Sequence, residues 1–179
     1  MEHPDSEPLL VGLAGGDARA FGLLYDRFAG RLYQVAMSML SRREDAEDAV
    51  QEVFAALVRS RQRLGAVRDL QAYLFAALRR AAARCANRRA RLPPALETAV
   101  HETAAPSGQD GESSLREDLA AALRTLPAQQ REVIALKIDG ELTFAQIGQV
   151  MGTSGNTAAS RYRYALEKLR QLLEGEWRP

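Results

Sequence analysis

The sequence predicts an all-α protein of two small helical domains joined by a flexible linker. Three observations carry that prediction. Apolar residues recur at steps of three and four through most of the 179 residues. No stretch alternates apolar and polar residues as a half-buried strand would. Between the two periodic halves lies an interval rich in Pro, Ala, Thr, Ser and Gly with no periodicity at all.

Taken in order, Leu9, Leu10 and Leu13 suit a short leading helix. From Asp17 to Leu40, Phe21, Leu24, Tyr25, Phe28, Leu32, Val35, Ala36, Met39 and Leu40 form one stripe, and Asp17 after two glycines suits an N-cap. Ser41-Arg42-Arg43-Glu44 has the spacing of a capping box. It opens a second helix with Ala46, Ala49, Val50, Val53, Phe54 and Leu57 on one face. An Arg61–Asp69 loop leads to a third helix, about Asp69 to Arg91, carrying Leu70, Tyr73, Leu74, Ala77, Leu78 and Ala81. Leu92-Pro93-Pro94 ends it, because proline removes a donor and restricts the residue before it.

The first domain is thus expected over residues 8–92 and an acidic, flexible linker over 93–114, with Pro106 to Gly111 as its least patterned part. The second domain is expected over 115–175. Leu115, Leu119, Ala122, Leu123 and Leu126 form one helical face ended by Pro127, and Val133, Ile134, Leu136 and Ile138 another ended by Gly140. Thr143-Phe144-Ala145-Gln146 is a second capping box, with Leu142 and Ile147 placed as a hydrophobic staple. That helix runs to Met151, Gly152-Thr153-Ser154 turns the chain, and a last helix carries Ala158, Tyr162, Ala165, Leu166, Leu169 and Leu172.

Composition excludes several function classes. One cysteine, Cys85, permits neither an intrachain disulfide nor a Cys-rich zinc site. His3 and His101 lie in polar, loop-like surroundings away from any nucleophile or carboxylate cluster. No metal, cofactor or catalytic set is expected, and an enzyme is disfavoured. The acids at 45, 48 and 52 share a helix face, yet no histidine accompanies them. No apolar run approaches the ~20 residues of a membrane span. The acidic start, Met1 to Glu7, lacks the basic region of a secretory signal. A cytoplasmic protein without membrane insertion is the expectation. Cys85 among alanines and arginines reads as a packing residue, with Arg84 and Arg88 near enough to lower its pKa if it served as a redox handle.

Lys+Arg is 24 and Asp+Glu 23, a net charge of +1. The total conceals a strong asymmetry. Residues 59–91 contain ten arginines against Asp69 alone, a sum of +9, whereas Glu97 to Asp118 holds six acids against Arg116, a sum of −5. Arg79, Arg80, Arg84, Arg88 and Arg91 follow helical steps and suit a phosphate backbone, where each neutralised phosphate releases counterions. Thr143 to Arg170 has the length and punctuation of a helix-turn-helix. Its second helix presents Gly155, Asn156, Thr157, Ser160 and Arg161 at the end where the helix dipole favours anions, with Arg161 or Arg163 able to reach guanine or phosphate. The same pattern also occurs in plain helical bundles.

Two separated motifs resemble the bacterial sigma-70 family of RNA polymerase sigma factors, of the small extracytoplasmic-function (ECF) type. Asp45-Ala46-Glu47-Asp48-Ala49-Val50-Gln51-Glu52-Val53-Phe54 is similar to the core of region 2. Leu126-Pro127-Ala128-Gln129-Gln130-Arg131-Glu132-Val133 through Ile147, with Thr157-Ala158-Ala159-Ser160-Arg161-Tyr162, resembles region 4. The resemblance implies a factor that binds core RNA polymerase, directs it to promoters and supports DNA melting. It implies that Asp45, Asp48, Gln51 and Glu52 meet the beta-prime clamp helices, with the beta subunit as a further contact. It implies −10 promoter contacts from Arg61, Arg63, Arg68, Arg79, Arg80, Arg84 and Arg88. Asn156, Thr157, Ser160, Arg161 and Arg163 would read the −35 element. An anti-sigma factor is a further partner that the family suggests. Arg80 and Arg84 stand where the family usually has an Asn and an Asp, and Ala159 where it commonly has a lysine. These departures imply an altered −10 preference and weaker −35 binding. The competing reading is a helix-turn-helix regulator that acts without polymerase.

Overall fold

The computed structural model describes residues 6–40, 42–91 and 110–176. Eight α-helices and one 3-10 helix account for most of them, with no strand among the described residues: α1 Ser6–Gly15, α2 Ala18–Met39, α3 Arg43–Arg59, a 3-10 helix Arg61–Ala66, α4 Leu70–Ala90, α5 Asp110–Thr125, α6 Ala128–Ile138, α7 Phe144–Met151 and α8 Gly155–Glu176. The all-α class and the two helical domains agree with the sequence. Most of the expected linker lies outside the described residues.

Local chemistry explains the helix starts. Asp17 caps α2 by accepting from the Arg19 N–H at 2.9 Å, and Asp69 caps α4 by accepting from the Ala72 N–H at 2.9 Å. At α7 both halves of the capping box form, Thr143 Oγ1 with the Gln146 N–H at 3.2 Å and Gln146 Oε1 with the Thr143 N–H at 2.8 Å. Gly16 and Gly152 make turns at φ of 81° and 67°, a region costly for a residue with a Cβ.

Three boundaries differ from the sequence reading. The N-cap of α3 is Arg42, which makes no side-chain cap; Ser41, the expected capping residue, lies outside the described residues. The Arg61–Asp69 loop is largely a 3-10 helix, because Leu64 is fully buried and draws its polar neighbours into one tight turn. Helix α5 begins at Asp110, inside the interval assigned to the linker. A polar first turn carries no apolar periodicity, so the pattern marks a helix only from Leu115 onward.

The two halves share a core. One continuous cluster runs from Leu13, Leu24, Leu32, Phe75 and Leu78 of the first half to Leu136, Leu142, Ile147 and Ala158 of the second. A smaller cluster of Ala122, Leu126, Ala165 and Leu169 joins α5 to α8. Polar contacts complete the dock. Arg31 of α2 and Gln71 of α4 both donate to the Gly140 carbonyl in the α6–α7 turn, the latter at 2.9 Å. Gln146 donates to the free oxygen of the Asp69 cap at 2.9 Å, and Arg79 pairs with Glu132 at 2.6 Å.

Asp139 at the end of α6 is placed against its own charge. Burial pushes its carboxyl above the usual range, and it sits where the helix exposes carbonyls, the negative end of the dipole. Folding therefore disfavours the ionised form relative to the unfolded chain. Below the ordinary value of 3.8 the penalty is absent, and above the raised folded value it is present in full. Asp139→Asn is expected to raise stability at neutral pH and to match the parent in acid. Urea unfolding of both proteins across that range checks this; a variant no more stable at neutral pH would contradict it.

Candidate nucleic-acid interface

The arginine-rich segment divides into free and engaged groups. Arg61, Arg63, Arg68 and Arg80 are predominantly exposed and have no ion-pair partner among the described residues. Arg61 lies against the Gly16 turn, where the absent Cβ makes room for its guanidinium. The other arginines assigned to −10 DNA are held. Arg79 is paired with Glu132, whose side chain is 12% exposed. Arg84 donates from Nη2 and Nε to one oxygen of Glu52, at 2.7 and 3.1 Å. Arg88 donates to Cys85 Sγ at 3.5 Å and faces Asp48 at 3.9 Å, and its neighbour Arg89 faces Asp45 at 3.4 Å. The structure thus sets two groups of residues, assigned from the sequence to different partners, against each other across the α3–α4 seam.

Farther round α3 from Asp48, Gln51 is exposed at the edge of a groove of about 550 Å³ between α2 and α3, lined by Tyr25, Gly30, Tyr33, Val50 and Phe54. The Tyr25 and Phe54 rings lie 5.0 Å apart at 48°, and Tyr25 remains 56% exposed. An aromatic groove with a polar rim suits a helix that brings both apolar and hydrogen-bonding side chains.

The α7–α8 pair has the expected helix-turn-helix form. Ser154 Oγ accepts from the Thr157 N–H at 3.0 Å and fixes the start of α8. The Phe144 and Tyr162 rings, 5.6 Å apart, brace the two helices. Asn156 and Arg163 are exposed, while Thr157, Ser160 and Arg161 are half-buried around the first two turns. Sequence reasoning missed Tyr164, which is 69% exposed one turn beyond Ser160 on the same face. Its i+4 spacing from Ser160 was the available signal, obscured because a tyrosine in a helix is read first as core.

Cys85 is buried, and burial pushes its thiol up; the lowering by Arg88 is outweighed, and Asp45, Glu52 and Asp48 raise it further. Arg88 donates to Cys85 Sγ at 3.5 Å, yet this does not offset burial and the three carboxylates, so Cys85 has the surroundings of the packing residue expected from the sequence. Among the described residues, no group of His, Cys, Asp or Glu is placed to hold a metal ion, and no helix is long and apolar enough to cross a membrane.

Comparison with known proteins now decides the family. Residues 24–92 match the family model of Sigma-70 region 2 and residues 122–171 that of Sigma-70, region 4. The RNA polymerase sigma factor CarQ of Myxococcus xanthus is 34% identical over 163 residues, covering 88% of this chain and 91% of that protein. The chain belongs to the sigma-70 family, in its ECF branch. The ECF RNA polymerase sigma factor SigE of Mycolicibacterium smegmatis is 30% identical over 183 residues, covering 96% of this sigma factor and 70% of its relative. Among solved structures, RpoE of Bartonella quintana, in complex with the anti-sigma factor NepR, superposes with a TM-score of 0.71 at 25% identity, over 88% of this chain and 98% of that one. CnrH, solved with the cytosolic domain of CnrY, shares the fold at a TM-score of 0.67 and 24% identity, over 94% and 97%. As an ECF sigma factor, the protein directs RNA polymerase to promoters. A regulator that dispenses with polymerase is not favoured, because the region 2 half is matched as well as region 4.

Proposed function

We propose that this sigma factor docks on core polymerase through α3 and the α2–α3 groove. Arg61, Arg63, Arg68 and Arg80, joined by Arg79, Arg84 and Arg88, engage the −10 region, and the first turns of α8 read the −35 element. Residues 8–92 act as the core-binding and −10 unit, 115–175 as the −35 unit, and 93–114 as the connector. The observation that carries the docking assignment is the placement of Gln51, exposed and unbonded, on the rim of an aromatic groove. A beta-prime helix entering there would bury Tyr25 and Phe54 and meet Gln51 and Asp48 at its edge, an apolar centre within a polar rim. Three exposed arginines before the start of α4 and a fourth, Arg80, halfway along it support the −10 assignment, since unpaired cations gain most from phosphate. On α8, Tyr164 extends the −35 face beyond Asn156, Thr157, Ser160, Arg161 and Arg163, with a ring suited to a thymine methyl or a sugar. An anti-sigma factor covering these surfaces fits the complex recorded for RpoE. The protein's place of action is the cytoplasm, where core polymerase resides.

The test is promoter-dependent transcription with purified core polymerase, mapped across a genomic library. Combined Asp48→Ala and Gln51→Ala substitution is expected to weaken core binding about tenfold or more while leaving the melting temperature unchanged, since both side chains are exposed. Undiminished core affinity would remove the docking assignment, and no initiation at any promoter would remove the reading as a whole.

A further inference from the structure

Along the α3–α4 seam, the carboxylates proposed to meet polymerase and two of the arginines proposed to meet DNA are one another's partners. The rungs are not equivalent. Asp45–Arg89 is the more sheltered, with side chains 22% and 33% exposed. Glu52–Arg84 is 37% and 56% exposed, and Asp48–Arg88 64% and 63%. The outer two are therefore the screened, weakly held kind of pair, which a competing ion of similar strength displaces.

We propose that these two rungs are exchangeable, so that polymerase and DNA binding are coupled through them. A cationic polymerase surface that takes Asp48 and Glu52 releases Arg88 and Arg84 to phosphate. A phosphate that takes the arginines in turn frees the carboxylates for polymerase. Neither Arg84 nor Arg88 can serve both a carboxylate rung and a phosphate at full strength, and the linkage is reciprocal by thermodynamic necessity. Asp45–Arg89 stays closed and holds the two helices in register while the outer rungs exchange. The inference rests on the docking reading above.

The experiment uses the full chain without polymerase and a labelled oligo-dT single strand as probe. Neutralising the carboxylates, Asp48→Asn with Glu52→Gln, mimics the docked state. It is expected to tighten binding several-fold and to steepen the slope of log K against log salt by about 1.4, about 0.7 for each phosphate contacted. Adding Arg84→Gln and Arg88→Gln to that protein should abolish the gain, and the arginine pair alone should bind core polymerase at least as tightly as the parent. Three results would each overturn the proposal. These are a gain no larger than that from Asp26→Asn with Asp118→Asn, which changes net charge equally away from the seam, a gain that survives loss of both arginines, or weaker core binding by the arginine variant. If Asp48→Asn with Glu52→Gln left core affinity untouched, the docking reading itself would fall, whatever the titration with single-stranded DNA gave.

Discussion

Gly148→Val is expected to cost the region 4 half about 3 kcal/mol and to abolish −35 recognition while sparing core binding. A Cβ at Gly148 would lie 2.8 Å from the Gly155 nitrogen, 2.8 Å from the Thr153 carbonyl oxygen and 2.9 Å from the Ser154 carbonyl carbon. All three are backbone atoms, so no side chain can swing aside. The crossing is tight from the other side too, since a Cβ at Gly155 would meet Ala145 and the Phe144 carbonyl at 3.3 Å. The Thr153 N–H also donates to the Gly148 carbonyl at 2.8 Å. The turn thus sits directly on α7, and an added methyl forces it off.

What moves is the start of α8, which carries Asn156, Thr157, Ser160 and Arg161. A displacement of about 1 Å there is enough to spoil bidentate contacts to base edges. Gly148→Ala should give a smaller loss, because its better helix propensity, about 1 kcal/mol, offsets part of the clash. Thermal unfolding should rank parent, Ala, Val in falling order. Footprinting of the assembled holoenzyme should lose −35 protection in the Val variant and keep that over −10. A Val variant that melts with the parent and protects −35 equally would refute the argument.

The helices and the caps of α2 and α7 were legible because they depend on near-neighbour chemistry, and the Asp69 cap of α4, equally local, was not read from the sequence. Asp17, Asp69 and the Thr143–Gln146 pair act within three residues of their partners, and the apolar stripes follow helical steps. The fate of the arginines was not legible in the same way. Arg84 lies 32 residues from Glu52 and Arg79 lies 53 from Glu132. Nothing local distinguishes an arginine that will find a carboxylate from one that will face solvent. Likewise the separation into two domains followed from the unpatterned interval. That they share a core depends on which faces of α2 and α4 remain apolar after the first bundle is packed, a tertiary property. Tyr164 was passed over because exposure, not residue type, marks it.

Arg31→Ala is expected to release region 4 from region 2, at a cost of about 3 kcal/mol to the dock. The Arg31 guanidinium lies 5.4 Å from the Phe28 ring and 5.9 Å from the Phe75 ring. It donates to the Gly140 carbonyl and faces Glu141 at 3.5 Å. Burial lowers its pKa, opposed by Glu141, and its Nε is buried with no partner, so the group sits there at an electrostatic disadvantage that its two faces and its one strong bond must outweigh. The turn it grips has no slack. Glu141 is left-handed at φ 52°, and a Cβ at Gly140 would lie 2.6 Å from the Leu136 carbonyl oxygen. By contrast Arg79–Glu132, with Arg79 43% exposed, is worth about 1 kcal/mol as a partly solvated pair. It therefore follows the dock and does not create it. Once Arg31 lets go, Glu132 moves away with α6 and Arg79 joins the free arginines. Fluorophores at Ala55 and Gln171, placed through engineered cysteines in a Cys85→Ser background, should lose energy transfer in Arg31→Ala and keep it in Gln51→Ala. Helicity should be unchanged, because the caps and stripes of α2 and α4 are untouched. The same variant should bind single-stranded DNA more tightly than the parent without polymerase, since a phosphate then meets an Arg79 no longer held by Glu132. Unchanged transfer in Arg31→Ala would mean that the shared apolar core alone holds the halves together.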